Sequence, residues 1–159
     1  MHIKFELKTE QNTHSFGEYL AHFIKPPLVL GFKGEIGMGK TSMIRAMLRA
    51  MGIQTAIKSP TFNLVETYST KIGPIHHFDL YRLTDVYDLE DLGFRDYLDQ
   101  KSITCIEWPE NAPLVVPFID IMIEFSYRNG EGRQIQVSEL SRRAQYLFKQ
   151  MEEHPWLER

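Results

Sequence analysis

One glycine-rich segment constrains this chain more than any other feature. Residues 34–41 read Gly-Glu-Ile-Gly-Met-Gly-Lys-Thr, which satisfies the pattern G-x-x-x-x-G-K-[ST]. The apolar run Leu28 to Phe32 before it is typical of a buried strand, and Thr41 to Met51 after it carries apolar side chains at helical spacing. A strand, a glycine loop and a helix in this order predict a phosphate-binding loop, because successive backbone N–H groups can face an anion at the helix amino terminus.

The residues of this loop predict a site for a nucleoside triphosphate with a divalent cation. Lys40 is expected to reach the β- and γ-phosphates, Thr41 to offer its hydroxyl to Mg²⁺, and Ser42 to contact the α-phosphate. A glycine turn that only caps a helix is the alternative, and Lys40 and Thr41 in register argue against it. The predicted nucleotide contacts in the loop are Gly34, Glu35, Ile36, Gly37, Met38, Gly39, Lys40, Thr41 and Ser42.

Two acidic residues follow apolar strands and are candidates for the cation site. Asp79 ends the run from Ile75, and Glu107 ends the run from Ser102. A phosphate-binding loop needs such an acid to hold Mg²⁺ directly or through water. Taken alone, each could equally be a strand-end acid that faces water. Thr61, in the hydroxyl-rich turn from Lys58 to Phe62, is the candidate sensor of the γ-phosphate, and a turn shaped by Ser59-Pro60 is its alternative.

The remaining pattern predicts a three-layer α/β domain, with a central sheet that mixes parallel and antiparallel pairs. His2 to Leu7 alternates as an edge strand, Ser15 to Ile24 is predicted helical, and Phe118 to Tyr127 and Arg133 to Val137 predict a hairpin. Ser138 to Glu153 is predicted to form one closing helix. With 159 residues, the chain is expected to form a single domain over 1–159.

Composition restricts the partners. The formal net charge is −3. We therefore do not expect the chain to bind a nucleic-acid backbone directly, because such binding needs clustered Lys and Arg. No apolar run approaches the roughly 20 residues that span a bilayer. A single cysteine and no basic-then-apolar leader favour a cytoplasmic location without membrane contact.

Three further motifs, in order after the loop, carry a resemblance to a known family. They are Ser59-Pro60-Thr61-Phe62-Asn63-Leu64-Val65-Glu66, His77-Phe78-Asp79-Leu80-Tyr81-Arg82 and Ile106-Glu107-Trp108-Pro109-Glu110. Together with the loop they resemble the TsaE (YjeE) family over roughly residues 7–137. Glu35 stands where the family commonly has aspartate, and Ser42 where it has a second threonine, and both replacements keep the chemistry of the loop.

The resemblance implies an ATPase that binds ATP and Mg²⁺ and serves threonylcarbamoyladenosine modification of tRNAs that read codons beginning with adenosine. It implies TsaD and TsaB as partner proteins and contact with tRNA only through their complex. It also implies that Thr41 and Glu107 hold Mg²⁺, that Asp79 acts in hydrolysis and that Thr61 is the switch threonine. Trp108, Glu110 and Arg133 are implied nucleotide neighbours.

Other classes of function remain open from the residues alone. A small-metabolite kinase would need an arginine-rich lid, and the pair Arg142-Arg143 is more typical of a solvated helix face. A GTP switch would need an N-K-x-D reader, which the sequence lacks. An ATP-binding module that does not hydrolyse its nucleotide is not separated from an ATPase by sequence.

Overall fold

A seven-stranded sheet organises the fold in the order β1-β7-β6-β2-β5-β4-β3. The structure is a computed structural model that describes residues 1–60, 63–129 and 132–156. The strands are β1 (His2–Leu7), β2 (Leu28–Lys33), β3 (Val65–Thr70), β4 (Gly73–Asp79), β5 (Ile103–Glu107), β6 (Ile121–Tyr127) and β7 (Arg133–Glu139). The pairs β2–β5, β2–β6 and β4–β5 are parallel, and β1–β7, β6–β7 and β3–β4 are antiparallel. The predicted mixed sheet is confirmed.

Helices cover both faces of this sheet. The helices are α1 (Glu10–Phe23), α2 (Lys40–Ala50), α3 (Tyr87–Leu92), α4 (Phe94–Tyr97) and α5 (Gln145–Met151). Helices α1, α2 and α5 pack on the face that carries Leu28, Leu30 and Phe32. The opposite face carries Val29 and Ile106 and is covered by α3, α4 and two short 3₁₀ helices. The central strand β2 is therefore apolar on both sides, as its unbroken apolar run predicts.

Helix α1 packs closely against α2 and steadies the helix that follows the glycine loop. Thr9 caps α1 through a reciprocal pair of hydrogen bonds with Asn12. Gly17 lies at the crossing, where a Cβ atom would collide with the backbone carbonyl of Met43 in α2. A glycine is required here because the two backbones leave no space for a methyl group.

Two predicted elements differ in the structure. The predicted strand from Phe118 begins only at Ile121, because Pro113–Phe118 forms a 3₁₀ helix. The single closing helix predicted from Ser138 is wrong at its start. Ser138 and Glu139 complete β7 by pairing with Met122 and Ile121, a 3₁₀ helix follows at Arg142–Ala144, and α5 begins at Gln145. None of the helices within the described ranges has the length and apolarity needed to cross a membrane.

A buried carboxylate fastens the start of β2. Asp120 is 2% exposed and accepts a hydrogen bond of 2.8 Å from the backbone N–H of Val29. Its other oxygen accepts from the hydroxyl of Ser141. The guanidinium of Arg143, which is 44% exposed, lies 3.1 Å from the carboxylate. Because the N–H of Val29 is buried and Arg143 is half exposed, the backbone hydrogen bond should stabilise β2 more than the ion pair does.

We expect Asp120→Ala to lower the free energy of unfolding by about 2–3 kcal/mol, because it leaves the buried N–H of Val29 without its acceptor. Arg143→Ala is the matched control. It removes only a half-exposed ion pair and should cost less than about 1 kcal/mol. Urea denaturation followed by circular dichroism measures both values. Equal losses in the two variants would show that the ion pair, rather than the buried hydrogen bonds, secures β2.

Candidate functional site

Several chain segments converge at one edge of the sheet and line a cleft of about 370 Å³. The parallel strands β2, β4 and β5 all end at this edge, and the antiparallel strand β7 begins there. A volume of this size is typical of a small-molecule site. The lining residues are Glu10, Ile36, Gly37, Met38, Gly39, Lys40, Thr41, Ser42, Ser59, Asp79, Tyr81, Arg82, Glu107, Trp108 and Arg133.

The glycine loop joins β2 directly to α2 and forms the floor of this cleft. Gly34 has φ 141° and Gly39 has φ 107°, values that strain other residue types. Space is also restricted at both positions. A Cβ atom on Gly34 would lie 2.8 Å from Cβ of Phe125, and one on Gly39 would lie 2.6 Å from Nη1 of Arg133. The loop can therefore follow this tightly curled path only because these positions are glycine.

Lys40 is held in the cleft by the loop itself. Its ammonium group donates to the carbonyl oxygens of Gly34 and Glu35, the second at 2.8 Å. The ammonium nitrogen also lies 4.4 Å from the ring centroid of Trp108, a cation–π distance. Burial lowers the pKa of Lys40, and the nearby charges of Glu107, Glu110 and Asp79 oppose that shift.

Glu107 lies between Thr41 and a histidine. The hydroxyl of Thr41 donates to Oε1 of Glu107 at 2.7 Å. Nε2 of His77 lies 2.7 Å from Oε2 of the same carboxylate. His77 and Glu107 are almost fully buried, at 0% and 2% exposure. A strand-end acid that merely faces water would not be enclosed in this way.

Asp79 lies beside Glu107 in the next strand, at matching register positions of β4 and β5. Its Oδ2 accepts a hydrogen bond of 2.8 Å from the hydroxyl of Ser59, and its Oδ1 accepts one of 3.1 Å from the backbone N–H of Tyr81. These contacts fix the carboxylate while it still lines the cleft. Asp79 can thus orient a polar group in the cleft.

Trp108 follows Glu107 in a left-handed conformation, with φ 57°. Its backbone N–H donates to the carbonyl oxygen of Phe32, at 3.1 Å. Its ring centroid lies 5.0 Å from that of Tyr81. The sharp turn after β5 therefore directs the indole over the cleft beside Lys40. Backbone strain of this kind in a non-glycine residue is concentrated at functional sites.

Arg133 and Glu110 occupy the margin of the site. Arg133 begins β7, lines the cleft and donates from Nη2 to the carbonyl oxygen of Gly37 at 3.3 Å. Glu110 lies in the 3₁₀ helix after Trp108 and is outside the set of lining residues, although its charge acts on Lys40. The structure thus brings Arg133 to the cleft, whereas Glu110 is not among the residues that line it.

Most residues that the sequence predicts for the site come together here. Thr61 lies outside the described residues, so its role as a switch stays a prediction. The carbonyl groups of Gly34 and Glu35 contact Lys40 rather than the cleft. Glu10 also lines the cleft, and no signal in the sequence could link the start of α1 to this site. Tyr81 and Arg82 also line the cleft, and in their motif, His77 to Arg82, the sequence predicts a role only for Asp79.

The oxygen donors in the cleft suit a magnesium ion. Thr41 offers a hydroxyl, Glu107 a carboxylate and Asp79 a second carboxylate, all hard oxygen ligands. Within the part of the chain that the structure describes, no group of three or more His, Cys, Asp and Glu residues could enclose a metal ion. A Mg²⁺ site in which one or two carboxylates act together with substrate phosphates and water needs no such group.

Comparisons with known proteins place residues 7–135 in the family model described as "Threonylcarbamoyl adenosine biosynthesis protein TsaE". Curated relatives carry the name tRNA threonylcarbamoyladenosine biosynthesis protein TsaE. The Haemophilus influenzae protein is 41% identical over 69% of this chain and 69% of its own. The Bacillus subtilis protein is 26% identical, and the match covers 96% of this chain and 95% of that protein. The crystal structure of Bacillus subtilis YdiB has the same fold, with a TM-score of 0.82, 22% identity and coverage of 97% and 96%.

We expect the pKa of Lys40 to lie below that of exposed lysines, because burial disfavours its charged form. Glu107→Gln should lower it further, since this substitution removes the acidic charge that opposes the shift most. Titration of the lysine side-chain ¹³Cε signals by NMR measures both values, with Glu124→Gln on the exposed side of β6 as the control. A Lys40 pKa that is no lower than the ordinary lysine value and does not respond to the Glu107 substitution would contradict the electrostatic coupling.

Proposed function

Because this chain belongs to the TsaE family of threonylcarbamoyladenosine biosynthesis proteins, we propose that it is the ATPase subunit of this tRNA modification and that it binds MgATP in the cleft. The observation that carries the proposal is the placement of the glycine loop, Lys40 and the Thr41–Glu107 pair around one cleft. Each has a distinct role in phosphate chemistry. Their convergence supports a nucleotide site more strongly than any one of them.

The chain would hold the triphosphate by charge and by backbone donors. Loop residues and the amino terminus of α2 line the cleft, where backbone N–H groups would favour an anion. Lys40 would exchange its contacts with the loop carbonyls for the β- and γ-phosphates, keeping its position beside Trp108. Arg133 at the margin would add a second cation for the nucleotide.

Thr41 and Glu107 would hold the magnesium ion, with Asp79 close enough to bind a water of its shell. A bound Mg²⁺ neutralises charge that develops on the phosphate oxygens during transfer. The hydrogen bonds from Ser59 and the Tyr81 backbone fix Asp79, so its carboxylate would orient the attacking water. Fixed donors and acceptors of this kind accelerate a reaction without reorganising.

We propose that the chain hydrolyses ATP in a complex with TsaD and TsaB, and that it contacts tRNA only through these partners. The formal net charge of −3 supports indirect contact, because a polyanion would not be drawn to this chain alone. Apolar side chains beside the cleft support protein partners. Ile36 at the tip of the loop is 68% exposed, and Tyr81 is 44% exposed. A partner that covers them would exclude water from the nucleotide.

The test compares ATP hydrolysis with Mg²⁺ by the chain alone and with purified TsaD and TsaB. We expect slow turnover alone and stimulation by the partners. Glu107→Ala should reduce turnover in both cases by about tenfold or more, because the cation loses its carboxylate. Glu124→Ala, which removes an exposed carboxylate from β6, is the matched control and should behave as the wild type.

ATP binding without turnover in any mixture would contradict the proposed ATPase. It would favour a module in which the nucleotide only orders the surface that meets a partner. If Glu107→Ala hydrolyses ATP as fast as the wild type, the proposed cation site is wrong.

A further inference from the structure

His77 is a buried histidine whose ring touches a residue of the proposed cation site. It lies in β4, opposite Cys105 of β5, and two residues before Asp79. Since side chains alternate along a strand, His77 and Asp79 lie on the same face of the sheet as Glu107. The side chain of His77 is 0% exposed, and its Nε2 is 2.7 Å from Oε2 of Glu107.

Packing alone does not explain an imidazole at this position. Among the residues that the structure describes, Nδ1 of His77 has no hydrogen-bond partner although it is buried. A buried polar atom without a partner costs free energy. The neighbours Ile75 and Cys105 are apolar and fully buried, so an apolar side chain would fill the space without that cost. The hydrogen bond between the imidazole and Glu107 compensates for this cost.

The hydrogen bond with Glu107 indicates which ring nitrogen of His77 carries the proton. An ionised carboxylate can only accept, so Nε2 of His77 must carry the hydrogen. With the proton on Nε2, Nδ1 is left with a lone pair in its apolar surroundings. A buried acceptor without a partner is tolerated better than a buried N–H without one. The geometry therefore specifies the Nε2–H tautomer.

The two oxygens of Glu107 consequently have two different partners. Oε1 accepts from Thr41 in α2, and Oε2 accepts from His77 in β4. Rotation of the carboxylate would break both hydrogen bonds. Partners behind a metal ligand commonly orient it in this way, and their loss typically weakens metal binding about 10- to 100-fold.

We propose that His77 is a positioning residue that holds the carboxylate of Glu107 towards Thr41 and thereby sets the affinity of the site for a divalent cation. This inference rests on the proposed function, since it assumes that Glu107 binds the cation beside a nucleotide. His77 does not itself contact the nucleotide or the cation. Its loss should therefore weaken cation binding and leave cation-free nucleotide binding unchanged.

Two substitutions separate the hydrogen bond from the volume of the ring. In His77→Gln, the amide nitrogen can reach the position of Nε2 and still donate to Glu107. In His77→Asn, the shorter amide reaches only the position of Nδ1. Mn²⁺ affinity, measured by electron paramagnetic resonance with a non-hydrolysable ATP analogue, should stay within about threefold of the wild type for Gln and fall about 10- to 100-fold for Asn.

Analogue affinity without divalent cation, read from tryptophan fluorescence, should be unchanged in both variants. The tautomer is tested on the unsubstituted chain by ¹⁵N NMR of labelled histidine, which needs no variant to fold. Wild-type Mn²⁺ affinity in both variants, or a proton on Nδ1 with Nε2 bare, would overturn the role of His77. An unsubstituted chain that binds no analogue at all would overturn the proposed function and this inference together.

Discussion

The register of three parallel strands is the constraint on which the site depends. Phe32 of β2 pairs with Glu107 of β5, and Glu107 pairs with Asp79 of β4, so the three residues form one row across the sheet. The glycine loop begins two residues after Phe32, and the loop and both carboxylates therefore reach the same edge. A slip of one residue in either pairing would turn a carboxylate to the opposite face. Packing in the two apolar layers thus determines the chemistry at the edge.

Charge in the cleft is balanced among few groups. Lys40 is almost fully buried, and the charges of Glu107, Glu110 and Asp79 support its protonated form against the cost of burial. Glu107 and Asp79 each have their oxygens engaged by fixed donors. Carboxylates held in this way would meet a cation in the proposed site with little movement of their own. The rings of Trp108 and Tyr81 pack together in the lining of the same cleft.

The sequence was sufficient where pattern and chemistry coincide. The loop from Gly34, the strand-end positions of Asp79 and Glu107, and the edge strand β1 could all be predicted, because each follows from local periodicity or a motif. Boundaries such as the start of β6 could not be predicted, since Pro113–Phe118 is apolar and resembles a strand by composition. The contacts of His77 with Glu107 and of Ser59 with Asp79 depend on strand pairing and on loop placement. Neither the strand pairing nor the loop placement can be deduced from the local sequence pattern.

A crystal structure of the chain with a non-hydrolysable ATP analogue and Mn²⁺ is the direct test of the proposed nucleotide site. We expect phosphates within hydrogen-bond distance of the backbone N–H groups of the loop and of Lys40. We also expect an anomalous peak from Mn²⁺ between the hydroxyl of Thr41 and the carboxylate of Glu107. A nucleotide bound elsewhere, or a cation that contacts neither Thr41 nor Glu107, would show that the proposed site is wrong.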